Sequence, residues 1–197
     1  MSLVMAFSGR ESAIVGGDRR SITFFGEAEA LEEELYNGRI RTDEELVRRA
    51  EELGTRILVS DSRDKVWKRG PVLVGEVTEV SPGSDRRRRI YVTPGRYLLV
   101  DISEDRAVVK MEGGTSLVIL GNKITKRLAN ERLGKLSSFD HAIFGSAFKE
   151  IRKETASISP DHTVIDIGEA HPNPRSALCQ ALRQDCEESG WTVSSLR

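Results

Sequence analysis

The sequence has few cysteines, no long apolar run and almost no net charge, and each shortage excludes a class of protein. The only thiols in 197 residues, Cys179 and Cys186, are seven positions apart, which predicts free thiols on one helical face and not a disulfide. No stretch approaches the ~20 apolar residues of a membrane-spanning helix. A formal net charge of −1 argues against bulk electrostatic binding to nucleic acid or membrane. We therefore expect a cytoplasmic protein that neither enters a membrane nor binds nucleic acid.

The order of apolar patterns predicts an α+β fold in a single domain, residues 1–197. Two short apolar runs, at residues 2–7 and 11–16, flank Ser8-Gly9-Arg10 and predict a β-hairpin. Short strands fill most of residues 55–121, and helical periodicity returns at 122–133, at 137–153 and after Pro174. A strand is predicted at 162–167, between the last two helices. The pattern is typical of strands layered against helices.

Residues 27–54 differ from their surroundings and predict a helical insertion between strands. The segment is rich in charge and has helical periodicity. Thr42 and Glu45 have the spacing of a capping box, and Gly54 is suited to end the second helix.

A run of four arginines at residues 86–89 follows the turn Ser81-Pro82-Gly83. On a nearly neutral protein, one such run is more typical of a solvated edge strand, where charge discourages strand addition, than of a nucleic-acid patch. We therefore expect these arginines at the exposed edge of a sheet.

The segment "GGDRR", residues 16–20, places three charges between two apparent strands. By itself such a triplet is typical of a surface turn. Asp18 comes sixteen residues after Ser2, and this spacing gives the segment a second interpretation. The stretch "SLVMAFSGRESAIVGGDRRS" resembles the start of a proteasome β subunit, in which a nucleophile opens the first strand and an Asp follows at that distance. "LGNKITKRLAN" and "AFKEIRKETASISPDHTVIDI" resemble later helices and a strand of the same fold.

Several stretches resemble the archaeal connectase family, which are proteasome-related protein ligases. They are "LVMAF", "GDRRSITFFGEAE", "AEELGTRI", "PVLVGEVTEV", "FGSAFKEIRKETASIS" and the "LGN" helix start. The resemblance implies the four-layer αββα sandwich of the N-terminal nucleophile hydrolases, carrying the helical insertion described above.

The resemblance also implies a site. It makes Ser2 the nucleophile and its own α-amine the general base, since a hydroxyl needs a base and an α-amine has a pKa of about 7.7–8.0. Asp18 matches the buried acid, and the cation is either Arg56 or Lys65. The remaining matched positions are Asn122 near the amine, and Glu154 and Ser157 in the loop after the second main helix. Taken alone, Asn122 is an ordinary helix cap and Ser157 an ordinary loop residue.

The implied activity is that of a transpeptidase that holds an acyl group on residue 2 and passes it to an amine. Connectases recognise Lys-Asp-Pro-Gly-Ala and cut before Pro, and the implied protein partner is a subunit of the methanogenic tetrahydromethanopterin methyltransferase. A plain peptidase or amidase of the same fold and an inactive peptide-binding module are the alternatives. No cofactor is expected, and His141, His162 and His171 lack the spacing of metal ligands.

Two departures from the family pattern affect these expectations. Position 2 is Ser and not the usual Thr, and a retained Met1 would convert the α-amine of residue 2 into an amide. A C-terminal domain of longer relatives is expected to be absent. The charged insertion and the arginine run predict a monomer or weak dimer instead of a ring.

Overall fold

The computed structural model describes residues 3–81 and 84–194, and the fold is given for these residues. The strands are β1 (Leu3–Ser8), β2 (Ala13–Asp18), β3 (Ser21–Phe25), β4 (Arg56–Ser60), β5 (Val66–Arg69), β6 (Val72–Ser81), β7 (Ser84–Thr93), β8 (Arg96–Ser103), β9 (Arg106–Gly113), β10 (Ser116–Gly121), β11 (His162–Ile167) and β12 (Thr192–Ser194). The helices are α1 (Glu29–Tyr36), α2 (Asp43–Glu52), α3 (Lys123–Leu133), α4 (His141–Arg152) and α5 (Pro174–Ser189). None of these helices has the length and apolar character needed to cross a bilayer.

The first sheet is built around the N-terminal hairpin. Its antiparallel strands follow the order β10-β1-β2-β11, so that β1 and β2 are both central. Alternation along β1 sends Leu3 and Met5 toward α3 and α4, and sends Val4 and Ala6 toward the second sheet. Because both faces of β1 are covered, its sequence is a continuous apolar run. Ser2, predicted to open this strand, lies outside the described residues.

The second sheet follows the order β12-β9-β8-β7-β6-β5. Its strands are antiparallel except for β12, which runs parallel to β9. One face packs on the first sheet through Leu73 and Ile90, and the other is covered by α5 through Leu178 and Leu182. The layers are therefore α3 with α4, the first sheet, the second sheet and α5. This arrangement confirms the predicted αββα sandwich.

The helical insertion is also confirmed. Strands β3 and β4 form a separate two-stranded sheet. Helices α1 and α2 lie between these strands in the chain and pack on their sheet through Leu31, Leu35 and Leu46. Thr42 and Glu45 form the predicted capping box at the start of α2. The insertion also contacts the main body, where the backbone N–H of Ala156 donates to the carbonyl of Ile40 at 3.2 Å.

The expectation that residues 86–89 form a solvated edge is wrong. Strand β7 lies between β6 and β8 and is hydrogen-bonded on both sides. Arg88 forms a surface ion pair with Asp101, but Arg89 is only 7% exposed and contacts the carboxylates of Glu76 and Asp185. Arg89 is accommodated inside the sheet because Glu76 on β6 and Asp185 on α5 supply buried anions. Asp185 is 96 residues from Arg89 in the chain, so the sequence around the arginine run carries no signal of this pairing.

Candidate active site

Asp18 is the last residue of β2 and its side chain is fully buried. Its Oδ1 accepts hydrogen bonds from the backbone N–H of Leu3 at 2.7 Å and from Nζ of Lys65 at 2.8 Å. Its Oδ2 accepts the N–H of Arg20 at 2.8 Å and that of Ser159 at 3.4 Å. The bond to Arg20, two residues on, is the local turn that Asp favours. The carboxylate therefore ends the strand and joins the start of β1 to a buried cation.

Lys65 is the cation at this site. Its ammonium also donates to the carbonyl of Arg20 at 2.6 Å, and the side chain is about as buried as that of Asp18. Burial lowers the pKa of Lys65 to about 8, although the charge and hydrogen bond of Asp18 oppose this shift. A lysine with such a pKa exchanges protons near neutral pH, which an arginine cannot do.

Gly17 is needed for this close packing. A Cβ at position 17 would lie 3.0 Å from Val66 and 3.2 Å from Cβ of Lys65, closer than side chains normally approach. The neighbouring Gly16 has a similar relationship to Phe148, at 2.8 Å on the helical side. The two glycines let the strand fit between its neighbours, as their place before Asp18 predicts.

Arg56, the alternative cation, lies elsewhere. It is on β4 in the two-stranded sheet, it is exposed, and its guanidinium lies 5.5 Å from the centre of the Phe25 ring. Of the two candidates, the structure brings only Lys65 to Asp18. Arg56 occupies an outward-facing position of a peripheral strand.

Asn122 lies close to the start of β1. It follows Gly121, which is the cross-strand partner of Leu3, and it caps α3 by accepting the N–H of Thr125 at 2.9 Å. Its side chain is buried, and its amide nitrogen has no hydrogen-bond partner among the described residues. This NH2 group is therefore an available donor next to Gly121 at the end of β10.

Glu154 and Ser157 are not brought onto Asp18. Glu154 forms an ion pair with Arg132 on α3 and is 45% exposed. Ser157 is buried, and its hydroxyl lies 3.0 Å from that of Thr155. The residue of this loop that reaches the site is Ser159, whose Oγ accepts the N–H of Arg19 at 2.7 Å. The alternation of small polar residues in "TASIS" was the available signal for this buried polar loop.

Arg20 is a second buried cation next to the Asp18–Lys65 pair, and its carboxylate partners Asp43 and Asp61 are partly exposed. Its guanidinium contacts Asp61 through two hydrogen bonds of 2.8 Å, the carboxylate of Asp43, and the carbonyl of Ala156 at 2.7 Å. Burial opposes its charge, but the hydrogen bonds that it donates to Asp61 and Asp43 and the charges of these carboxylates outweigh that effect and raise its pKa. Since Asp43 is the first residue of α2, Arg20 connects the insertion to the site.

The sandwich of two sheets between helical layers, with an acid and a lysine buried at the start of the first strand, defines an N-terminal nucleophile hydrolase fold of the proteasome type. A family model described as "Connectase MJ0548-like, N-terminal domain" matches residues 1–187. The chain belongs to this family.

The solved structures to which the chain is similar are distant from it in sequence. Eukaryotic HslV from Trypanosoma brucei is 10% identical, with 85% of this chain and 99% of that chain covered and a TM-score of 0.48. The Anbu (Gly-1) mutant from Hyphomicrobium sp. strain MC1 is 7% identical, with both chains fully covered and a TM-score of 0.43. No curated protein sequence matches the chain.

Proposed function

We propose that the protein is a transpeptidase whose nucleophile is the hydroxyl of Ser2. The observation that carries the proposal is the bond from the N–H of Leu3 to Asp18, because it holds the backbone next to residue 2 against the Asp18–Lys65 pair. A buried acid and a lysine with a pKa of about 8 are suited to tune an adjacent hydroxyl and amine.

In the proposed reaction, the α-amine of Ser2 accepts the proton of the hydroxyl as its oxygen attacks a peptide carbonyl. The tetrahedral intermediate collapses, the departing amine takes that proton, and an ester links the acyl group to Ser2. An incoming amine then attacks the ester carbonyl and gives a proton to the α-amine. The ester C–O bond breaks as the new peptide bond forms, and the α-ammonium returns the proton to the Ser2 oxygen, which regenerates the hydroxyl. In this proposal the charges of Lys65 and Asp18 tune the pKa values of the Ser2 amine and hydroxyl that exchange the proton.

The proposed substrate is a peptide or protein with a Lys-Asp-Pro-Gly-Ala motif, which family membership supports. The methyltransferase subunit named above is the proposed protein partner, and the proposed location is the cytoplasm. A monomer or weak dimer is the proposed assembly, and light scattering at micromolar concentration tests it. A stable ring would contradict that part of the proposal.

Intact mass spectrometry tests the catalytic proposal. The mass before substrate is added shows whether residue 2 carries a free amine, which the mechanism requires. After mixing with a Lys-Asp-Pro-Gly-Ala peptide, the processed protein should gain the mass of the acyl fragment. Ser2→Ala should form no adduct, and Ser2→Thr should retain it.

The acceptor distinguishes the two enzymatic alternatives. With an added amine peptide, a transpeptidase yields a joined product, whereas a peptidase yields only the free acid. A processed protein that binds the peptide but neither forms the adduct nor cuts it would make the binding-module alternative correct.

A further inference from the structure

A cleft of about 880 Å³ separates the first sheet from β7, β8 and β9 on one side of the molecule. Every residue from 116 to 123 lines it. Because side chains alternate between the two faces of a strand, a continuous lining means that the cleft follows the edge of β10. Among the described strands, β10 is paired only with β1, so the backbone groups of its other edge are available to an added strand.

Both apolar and positively charged side chains line the cleft. Leu99, Met111 and Leu117 are among the apolar ones, and Met111 is 53% exposed. The cationic residues lining it are Arg86, Arg87, Arg88, Lys110, Lys123 and Lys126. The carboxylate among the lining residues, Asp101, is already paired with Arg88 at 2.5 Å. On a chain with a net charge of −1, this is a local concentration of positive charge.

One end of the cleft lies beside the candidate active site. Asn122 lines it, and Gly121 next to it pairs with Leu3. The buried amide nitrogen of Asn122, which has no partner among the described residues, is a hydrogen-bond donor at this end. A buried donor normally has an acceptor, and a peptide carbonyl would supply one.

We propose that this cleft binds an extended, acidic segment of the peptide substrate as an added strand along β10, and this proposal rests on the proposed function. β10 has six residues, so it matches about 20 Å of extended peptide at ~3.3 Å per residue. Lys110, Lys123 and Lys126 then pair with acidic side chains of the peptide, and the apolar residues that line the cleft contact its apolar side chains. A single-stranded nucleic acid fits less well, because Tyr97, the aromatic residue lining the cleft, is itself buried and offers no exposed ring for stacking.

Binding is measured by fluorescence anisotropy with the Ser2→Ala protein, which removes turnover. The probes are labelled peptides with a Lys-Asp-Pro-Gly-Ala core extended on one side or the other by four Glu, and matched peptides extended by four Gln. At low ionic strength we expect one Glu peptide to bind about tenfold more tightly than its Gln counterpart, and this difference to shrink with added salt.

Two charge-reversed variants locate the effect. Lys110→Glu with Lys126→Glu should abolish the preference for Glu. Lys68→Glu with Lys135→Glu changes the net charge equally at exposed positions outside the cleft and should retain the preference. Equal affinity for Glu and Gln peptides, or equal loss in both double variants, would overturn the proposal. So would displacement of the peptide by a uridine oligonucleotide that binds more tightly, or a dimer that excludes the peptide.

This experiment separates the cleft from the catalytic step. If the Glu preference holds but the unmodified protein forms no acyl adduct with any of these peptides, the cleft proposal stands and the transpeptidase proposal fails. If adducts form equally fast with Glu and Gln peptides and their affinities are equal, the catalytic proposal stands and the cleft proposal fails.

Discussion

Nζ of Lys65 lies 2.8 Å from Oδ1 of Asp18, and the same oxygen accepts the backbone N–H of Leu3 at 2.7 Å. One carboxylate oxygen thus serves both a buried ammonium and the start of the first strand. A change at either side chain therefore alters both the proton affinity of the site and the anchoring of the chain next to residue 2.

Asp18→Asn should slow acyl transfer by about 10²-fold or more, the usual order for a lost acid–base partner. It should also lower the free energy of unfolding by about 3–5 kcal/mol, because it leaves the buried ammonium of Lys65 without its anion. Asp64→Asn is the control, since Asp64 is 68% exposed and forms a surface pair with Arg19. Its stability should change by less than ~0.5 kcal/mol. Adduct formation by Asp18→Asn at the unmodified rate would contradict the assignment.

The lowered pKa of Lys65 predicts a particular dependence of stability on pH. The pKa is about 8 in the folded protein and about 10.4 in an unfolded chain, so between these values the unfolded state binds more protons. The free energy of unfolding should therefore rise across this window as the cost of burying the charge disappears. Urea unfolding at pH 7.5 and pH 10 should show a larger rise for the unmodified protein than for Lys65→Met. An identical rise in both would contradict the prediction.

The proton affinity of Lys65 should depend on its anion. Asp18 raises the pKa of Lys65 against the effect of burial, so Asp18→Asn should move it lower still. The ¹³Cε NMR resonance of Lys65, assigned by its loss in Lys65→Arg, measures this midpoint directly. A midpoint that is unchanged or higher in Asp18→Asn would show that the two groups are not coupled.

Arg20→Lys should reduce acyl transfer although both residues carry one positive charge. A lysine cannot make the paired hydrogen bonds that Arg20 makes with Asp61 while also contacting Asp43. Arg49→Lys is the matched control, since Arg49 makes a two-bond contact with Glu34 within the insertion. We expect the rate of adduct formation to fall by about tenfold or more in Arg20→Lys, as positioning of the site is relaxed. Equal rates in the two variants would contradict a link between the insertion and the site.

Arg88→Met and Arg89→Met should differ strongly in stability although the residues are adjacent. Arg89→Met leaves Glu76 and Asp185 buried with one cation fewer, and should lower the free energy of unfolding by about 3–5 kcal/mol. Arg88→Met breaks a surface pair with Asp101 and should cost at most about 1 kcal/mol. Urea denaturation measures both, and similar losses would contradict the distinction between the two sides of β7.

The features that could be predicted from the sequence depend on local pattern or on short spacing. The hairpin of β1 and β2 and the capping box at Thr42 were both confirmed. Each depends on residues a few positions apart, so the sequence carries the whole signal. The candidate acid, Asp18, came from its spacing to Ser2 and from resemblance.

The features that could not be predicted depend on distant partners. Arg20 meets Asp43 and Asp61 across 23 and 41 residues, and Ser159 reaches Asp18 across 141. Glu154 was matched to the site by position, but the helical layer pairs it with Arg132 instead. Whether a charged side chain is buried depends on which anions and cations the fold brings together. A run of charged residues in the sequence does not reveal those partners.

Strand β1 has a hydrogen-bonded neighbour along each edge and an apolar layer against each face. A substitution in it can be compensated by a neighbouring side chain that grows or shrinks. One extra residue within Leu3–Ser8 would instead exchange the two faces for part of the strand and shift residue 3 away from Asp18. Among relatives, this segment should therefore vary in composition while its length stays constant, and insertions and deletions should accumulate in the turn at residues 9–12.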